Sequence, residues 1–182
     1  VAIDGLGGAG KSTLAQLLEQ QLKTLGWSVA VVKHDDFYLP SNQRENQTTR
    51  TIGSDFDWER LRDQVLIPIR EGRSVHYQRY DWEADVLAEW HTISASDVVL
   101  VEGVYTMRCE LTDLYDLKIW VECPRAIRLA RGITRDGEKA RPIWEQDWMP
   151  KEDCYVKTHL PREKADLFVN GATPYLPMGE SK

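Results

Sequence analysis

The chain has 182 residues, 42% of them hydrophobic and 29% charged, and a formal net charge of −6. These values suit one globular domain spanning 1–182, and no apolar run approaches the roughly 20 residues that cross a bilayer. The acidic balance argues against a nucleic-acid partner, which would call for a basic patch, and no membrane partner is expected. Cys109, Cys123 and Cys154 lack metal-ligand spacing and are expected as reduced thiols of a cytoplasmic protein. No signal peptide is read, although the chain opens inside a strand without an initiator methionine.

Val1-Ala2-Ile3-Asp4 reads as the end of a buried strand. Gly5-Leu6-Gly7-Gly8-Ala9-Gly10-Lys11-Ser12 follows, fitting G-x-x-x-x-G-K-[ST] at every fixed position, with Thr13 next. Leu14, Leu17, Leu18, Leu22 and Leu25 then recur at helical spacing up to Gly26. Strand, glycine loop and helix in this order predict a phosphate-binding loop. A triphosphate presents oxygens on several sides, so the loop must turn its N–H groups inward. Gly5, Gly7, Gly8 and Gly10 are expected to permit the dihedrals and close approach this needs, with Ala9 completing the cradle. Lys11 would reach the β- and γ-phosphates, the Ser12 hydroxyl would ligate Mg²⁺, and Thr13 would touch the α-phosphate. The chain is therefore read as a nucleoside-triphosphate binder.

Ser28–Lys33 reads as a second buried strand whose carboxyl end delivers His34-Asp35-Asp36-Phe37-Tyr38. Residues 39–54 read as a long loop, and 57–72 as a helix that Pro68 kinks or shortens. Ser74–Tyr80 and Glu89–Ile93 are expected to pair as an antiparallel ribbon over the acceptor. Asp97–Glu102 and Leu117–Glu122 are further strands, and Pro124–Asp136 a helix with Arg128, Arg131 and Arg135 on one face. A tail helix over Ile143–Thr158, broken at Pro150, precedes a last strand at Ala165–Val169. Strands separated mostly by helices predict an α/β doubly wound parallel sheet with flanking helices. Asp35, Asp36 and Glu102 then fall near the loop, where phosphoryl transfer needs a base and a metal ligand.

The phosphate loop, Asp35-Asp36-Phe37-Tyr38, Phe56-Asp57, Tyr80-Asp81-Trp82, Glu102-Gly103 and Arg135-Asp136 occur in an order that resembles the uridine kinases. The wider group includes phosphoribulokinase and bacterial pantothenate kinase. The resemblance implies Asp35 as general base on an acceptor 5′-hydroxyl, Tyr38 in the acceptor pocket and Asp57 on ribose hydroxyls. It implies Tyr80 and Trp82 flanking the base, Glu102 beside Mg²⁺, and catalytic Arg131 and Arg135 in a mobile lid at about 124–142. The acceptor-binding insertion would cover about 39–95. The chain departs from that pattern at Asp85 and Leu87, where uridine kinases carry histidine and arginine, and at Gly132, where they carry a second arginine. Asp85 with Trp82 would suit a different, even cationic, acceptor.

The implied activity is transfer of the γ-phosphoryl of ATP or GTP to a primary hydroxyl. Uridine or cytidine is the first acceptor, with nicotinamide riboside, pantothenate and sugars as alternatives. A nucleotide-dependent switch without acceptor chemistry, and a kinase for nucleotide monophosphates using Arg44 and Arg50, are the other readings.

Overall fold

The computed structural model describes residues 1–46 and 51–175. Its strands in chain order are β1 (Ala2–Asp4), β2 (Val29–Lys33), β3 (Val75–Asp81), β4 (Val86–Ile93), β5 (Val98–Glu102), β6 (Lys118–Glu122) and β7 (Leu167–Asn170). Five of them form a parallel sheet in the order β2-β5-β1-β6-β7, and β3 with β4 makes a separate antiparallel ribbon. Neighbouring residues on a strand face opposite ways, and here both faces are covered. Ala2 and Val101 join one buried cluster with Phe37, Leu61 and Val65, whereas Ile3 and Leu100 join another with Leu14, Ala15 and Ile119. The doubly wound parallel sheet is thus observed.

This strand order gathers the site. β1 is central, β5 lies between it and β2, and Glu102 at the end of β5 registers with both Ile3 and Lys33. With strands about 4.8 Å apart, the loop after β1, the turn after β2 and Glu102 fall in one row.

Helix α1 (Lys11–Thr24) packs Leu14 and Ala15 on the sheet. Leu25 lies beyond its end and is exposed, and Gly26, at φ +90°, turns the chain away. The helix over 58–70 starts at Asp57, whose side chain caps it by accepting from the Arg60 amide. The helices break at neither proline. Residues Arg62–Leu66 ahead of Pro68, and Trp144–Trp148 ahead of Pro150, form widened π-type turns, and the helices continue through both. Widening the turn relieves the clash of a proline ring with the carbonyl one turn back. The region expected as loop contains a short helix, Ser41–Glu45, and β4 begins earlier than expected, at Val86. Arg50 lies outside the described residues.

Candidate active site

The loop closes on itself through the Ala9 amide, which donates to Leu6 O at 3.0 Å. Gly8 adopts φ +76°, and a Cβ there would lie 2.5 Å from the Arg128 carbonyl oxygen. Gly7 needs no positive φ; close packing explains it instead, since a Cβ would fall 2.7 Å from Glu152 Oε1 and 3.1 Å from the Trp144 ring. Gly7, Gly8, Gly10, Lys11, Ser12 and Thr13 line a cavity of about 410 Å³. Gly5 and Ala9 do not line it; they shape the loop from behind, where a Cβ on Gly5 would meet the Val121 carbonyl at 2.5 Å.

Lys11 is buried and donates from Nζ to Leu6 O at 3.1 Å. Ser12 Oγ donates to Glu102 Oε1 at 2.9 Å. Burial raises the Glu102 carboxyl above its ordinary value, opposed first by the Lys11 charge. A hydroxyl and a carboxylate side by side form an oxygen donor set that fits Mg²⁺, which keeps waters and phosphate oxygens for its other positions.

A single 3₁₀ turn, His34–Phe37, separates the two aspartates after β2. Asp35 lines the cavity, while Asp36 accepts from Tyr77 OH at 3.1 Å under the ribbon and does not line it. Beneath them His34 is fully buried, with Nδ1 on Val104 O at 2.7 Å.

The aromatic lining comes from four segments. Tyr38 stacks on Trp82 with centroids 4.4 Å apart, Phe56 meets Tyr38 edge-on at 4.9 Å, and Tyr105 adjoins Phe56. Trp82 remains about half exposed, with room for a planar ligand against it. Of the other expected acceptor residues, Asp57, Tyr80 and Asp85 do not line the cavity. Asp57 is occupied as a helix cap and pairs with Arg60. Tyr80 is buried and donates to Asp85 at 2.6 Å, and Asp85 also accepts from the Ser41 amide at 3.0 Å and from its hydroxyl. Hydrogen bonds from Ser41 and Tyr80 hold the Asp85 carboxyl below its ordinary range, so this group pins the ribbon tip to the helix at Ser41.

Asp55 stands where Asp57 was expected and lines the cavity, joined at 2.9 Å to Lys151 Nζ. Lys151, Glu152, Trp144 and Trp148 also line it, all from the C-terminal helix that the motifs left out. The alternation Asp55-Phe56-Asp57 did carry a signal. Asp57 opens a helical pattern and is the better cap, which frees Asp55 for the pocket.

The three arginines on one helix face divide their tasks. Arg128 is buried against Glu152 at 2.9 Å. Arg131 lines the cavity but is tied down, donating to Gly171 O at 2.6 Å, Ala172 O at 3.3 Å and Gly8 O at 3.4 Å. Arg135 is exposed at the cavity rim; Asp136 first, then Asp35, hold its guanidinium above the ordinary value. Gly132 lies under the fully buried Trp144, where a Cβ would come within 2.8 Å of three indole atoms.

Below the loop, Asp4 is fully buried and accepts from the Gly5 amide at 2.6 Å, the Met107 amide at 2.7 Å and Tyr155 OH at 2.6 Å. Burial nevertheless pushes its carboxyl up from 3.8 to about 6, while burial pushes His34 down from 6.5 to about 4. The two act oppositely on stability. Between pH 4 and 6 folded Asp4 binds more proton than unfolded Asp4, so its contribution falls as pH rises. Over nearly the same window unfolded His34 binds the extra proton, so its contribution grows as pH rises. Each amounts to about 3 kcal/mol and they offset. In His34→Asn, which keeps a donor for Val104 O, the melting temperature is expected to fall from pH 4.5 to about 6.5 relative to the wild type. Parallel pH profiles in thermal melts would contradict this.

The glycine loop, Lys11, the Ser12–Glu102 pair and Asp35 border one cavity, the arrangement expected of a P-loop phosphotransferase that acts on alcohols. Comparison with known proteins agrees. The family model "Phosphoribulokinase / Uridine kinase family" matches residues 1–142. The chain belongs to this family. It is 30% identical over 185 residues to a uridine kinase of Mycoplasma pneumoniae, covering 93% of this chain and 83% of that one. It is 29% identical to a uridine kinase of Ureaplasma parvum over 86% of this chain and 81% of that one. Among solved structures, a possible uridine kinase from Bacillus stearothermophilus superposes with a TM-score of 0.74 at 27% identity, covering 93% of this chain and 86% of that one. Phosphoribulokinase from Rhodobacter spheroides shares the fold, with a TM-score of 0.64 at 16% identity, covering 97% of this chain and 75% of that one. No helix among the described residues is long and apolar enough to cross a membrane.

Proposed function

We propose that the chain transfers the γ-phosphoryl group of ATP or GTP to the primary hydroxyl of a nucleoside, with uridine or cytidine as first acceptor. The observation that carries this is that Asp35, Lys11 and the Ser12–Glu102 pair line one cavity together with the Tyr38–Trp82 stack. Asp35 accepts the proton of the acceptor hydroxyl. Lys11 leaves Leu6 O for the β- and γ-phosphates, and Arg135 at the rim closes on the charge that spreads over the moving phosphoryl group. Ser12 and Glu102 hold Mg²⁺, which when bound neutralises charge on the phosphate oxygens. Asp55 replaces Asp57 as the carboxylate for ribose hydroxyls, and Lys151 steadies it. The uridine kinases among its relatives support the nucleoside reading.

The decisive experiment is a thermal-shift panel with a non-hydrolysable ATP analogue present. Uridine and cytidine are expected to raise the melting temperature, and nicotinamide riboside, pantothenate and sugars to do so less. If neither pyrimidine nucleoside did so, the acceptor assignment would fall. A cationic acceptor has less support now that Asp85 is bonded elsewhere.

Trp82 offers the only half-exposed ring of the Tyr38–Trp82 pair, so a stacked base rests on it. Trp82→Ala is expected to raise the acceptor KM about 10-fold or more, from roughly 1.5 kcal/mol of lost stacking, with the nucleotide KM unmoved. Steady-state kinetics in both substrates checks this, and an equal rise in both constants counts against the stack.

A further inference from the structure

One amide of the phosphate loop already has an anion. The Gly7 N–H donates to Glu152 Oε1 at 2.8 Å. The other oxygen of that carboxylate pairs with Arg128 Nη1 at 2.9 Å, and the same nitrogen reaches Gly7 O at 3.3 Å. The side chains of Arg128 and Glu152 are only 4% and 6% exposed, yet Glu152 borders the nucleotide cavity. Glu152 therefore spends both oxygens on the loop and its brace, none on its own helix.

A loop of this type presents amide hydrogens to phosphate oxygens, with the α- and β-phosphates taken by the residues that open the helix and its lysine reaching on to the γ-phosphate. Gly7 comes earlier in the loop, among Trp144, Glu152 and the Arg128 backbone. Gly7 and Glu152 line the same cavity as Lys11, the residue whose ammonium reaches a terminal phosphate in such loops. We propose that Glu152 is an internal competitor for that phosphate: its carboxylate holds the Gly7 amide and repels the γ-phosphate, so triphosphate binding is weakened and diphosphate binding is not. The inference rests on the reading that a nucleoside triphosphate occupies the loop. A carboxylate that only braced the loop would affect both nucleotides alike.

The test compares affinities of the whole chain for a non-hydrolysable ATP analogue and for ADP by calorimetry. Glu152→Gln keeps an acceptor for the Gly7 amide and removes the charge. The analogue is expected to bind about tenfold tighter, with ADP changed less than about twofold. Glu152→Asp keeps the charge beside Arg128 but withdraws it from Gly7 by one methylene, and is expected to act in the same direction. In the wild type, the Gly7 amide resonance should shift with the analogue and stay in place with ADP. Equal effects on the two nucleotides in whichever variant folds, or a Gly7 resonance that ADP moves as far, would overturn the competitor role and leave the kinase reading standing. A wild-type chain that bound neither nucleotide would overturn both.

Discussion

Asp35→Asn is expected to slow phosphoryl transfer to the acceptor by about 10²–10⁴-fold, the usual contribution of a positioned general base. The substitution keeps the size but replaces the basic carboxylate with an amide that does not take up the proton. Nucleotide affinity should change little, because Asp35 follows β2, one strand beyond Glu102 in the sheet, and is not part of the phosphate loop. Its neighbour supplies the control. Asp36 hydrogen-bonds Tyr77 outside the cavity, so Asp36→Asn should leave transfer within about threefold, its cost falling on stability instead. Single-turnover rates with the best acceptor, set beside the nucleotide dissociation constant, decide the matter. Comparable losses in the two variants would remove Asp35 from the role of base.

The second large effect concerns Gly132, where uridine kinases carry the second arginine of a pair. Gly132→Arg, which restores that pair, is expected to destabilise the chain rather than improve the site. The place is filled by Trp144, fully buried, with its Nε1 donating to Asp136 at 2.9 Å. Even Gly132→Ala forces a methyl group into the indole ring and should cost about 1–3 kcal/mol, and arginine more. Denaturant titration measures this. A variant as stable as the wild type would mean that Trp144 moves aside, and the contact between the two helices would then be looser than its packing indicates. The bulky ring from the helix after residue 140 packs directly over the glycine of the arginine helix, so the two positions must change together.

The parts of the site that could be read from the chain are those with local causes. The phosphate loop carries its glycines within one short run, and Asp35 and Glu102 stand at or just past the ends of strands whose apolar runs mark where they stop. Arg128, Arg131 and Arg135 were correctly placed on one face by helical spacing, yet spacing says nothing about what that face meets. Only packing shows that Arg128 is buried on Glu152 and that Arg131 is tied to Gly171. The acceptor side was read less well for the same reason. Tyr38 and Trp82 meet there, but Asp57 caps its own helix, while Tyr80 and Asp85 bond to each other and Asp85 to the distant Ser41. Lys151 and Glu152 belong to no motif, and their place depends on a contact made more than ninety residues away in sequence, with Asp55 and Gly7.

That placement has a geometric origin in the wide turn ahead of Pro150. Each residue of an α-helix advances about 100° around the axis, so a π-type turn, holding one residue more, rephases everything downstream by about that angle. Lys151 and Glu152 come just after it and border the cavity, whereas Pro150 and Cys154 face solvent. Had the screw continued at its normal pitch, a different pair of side chains would look inward. A proline usually regarded as an interruption here sets the azimuth of two charges at the catalytic cleft.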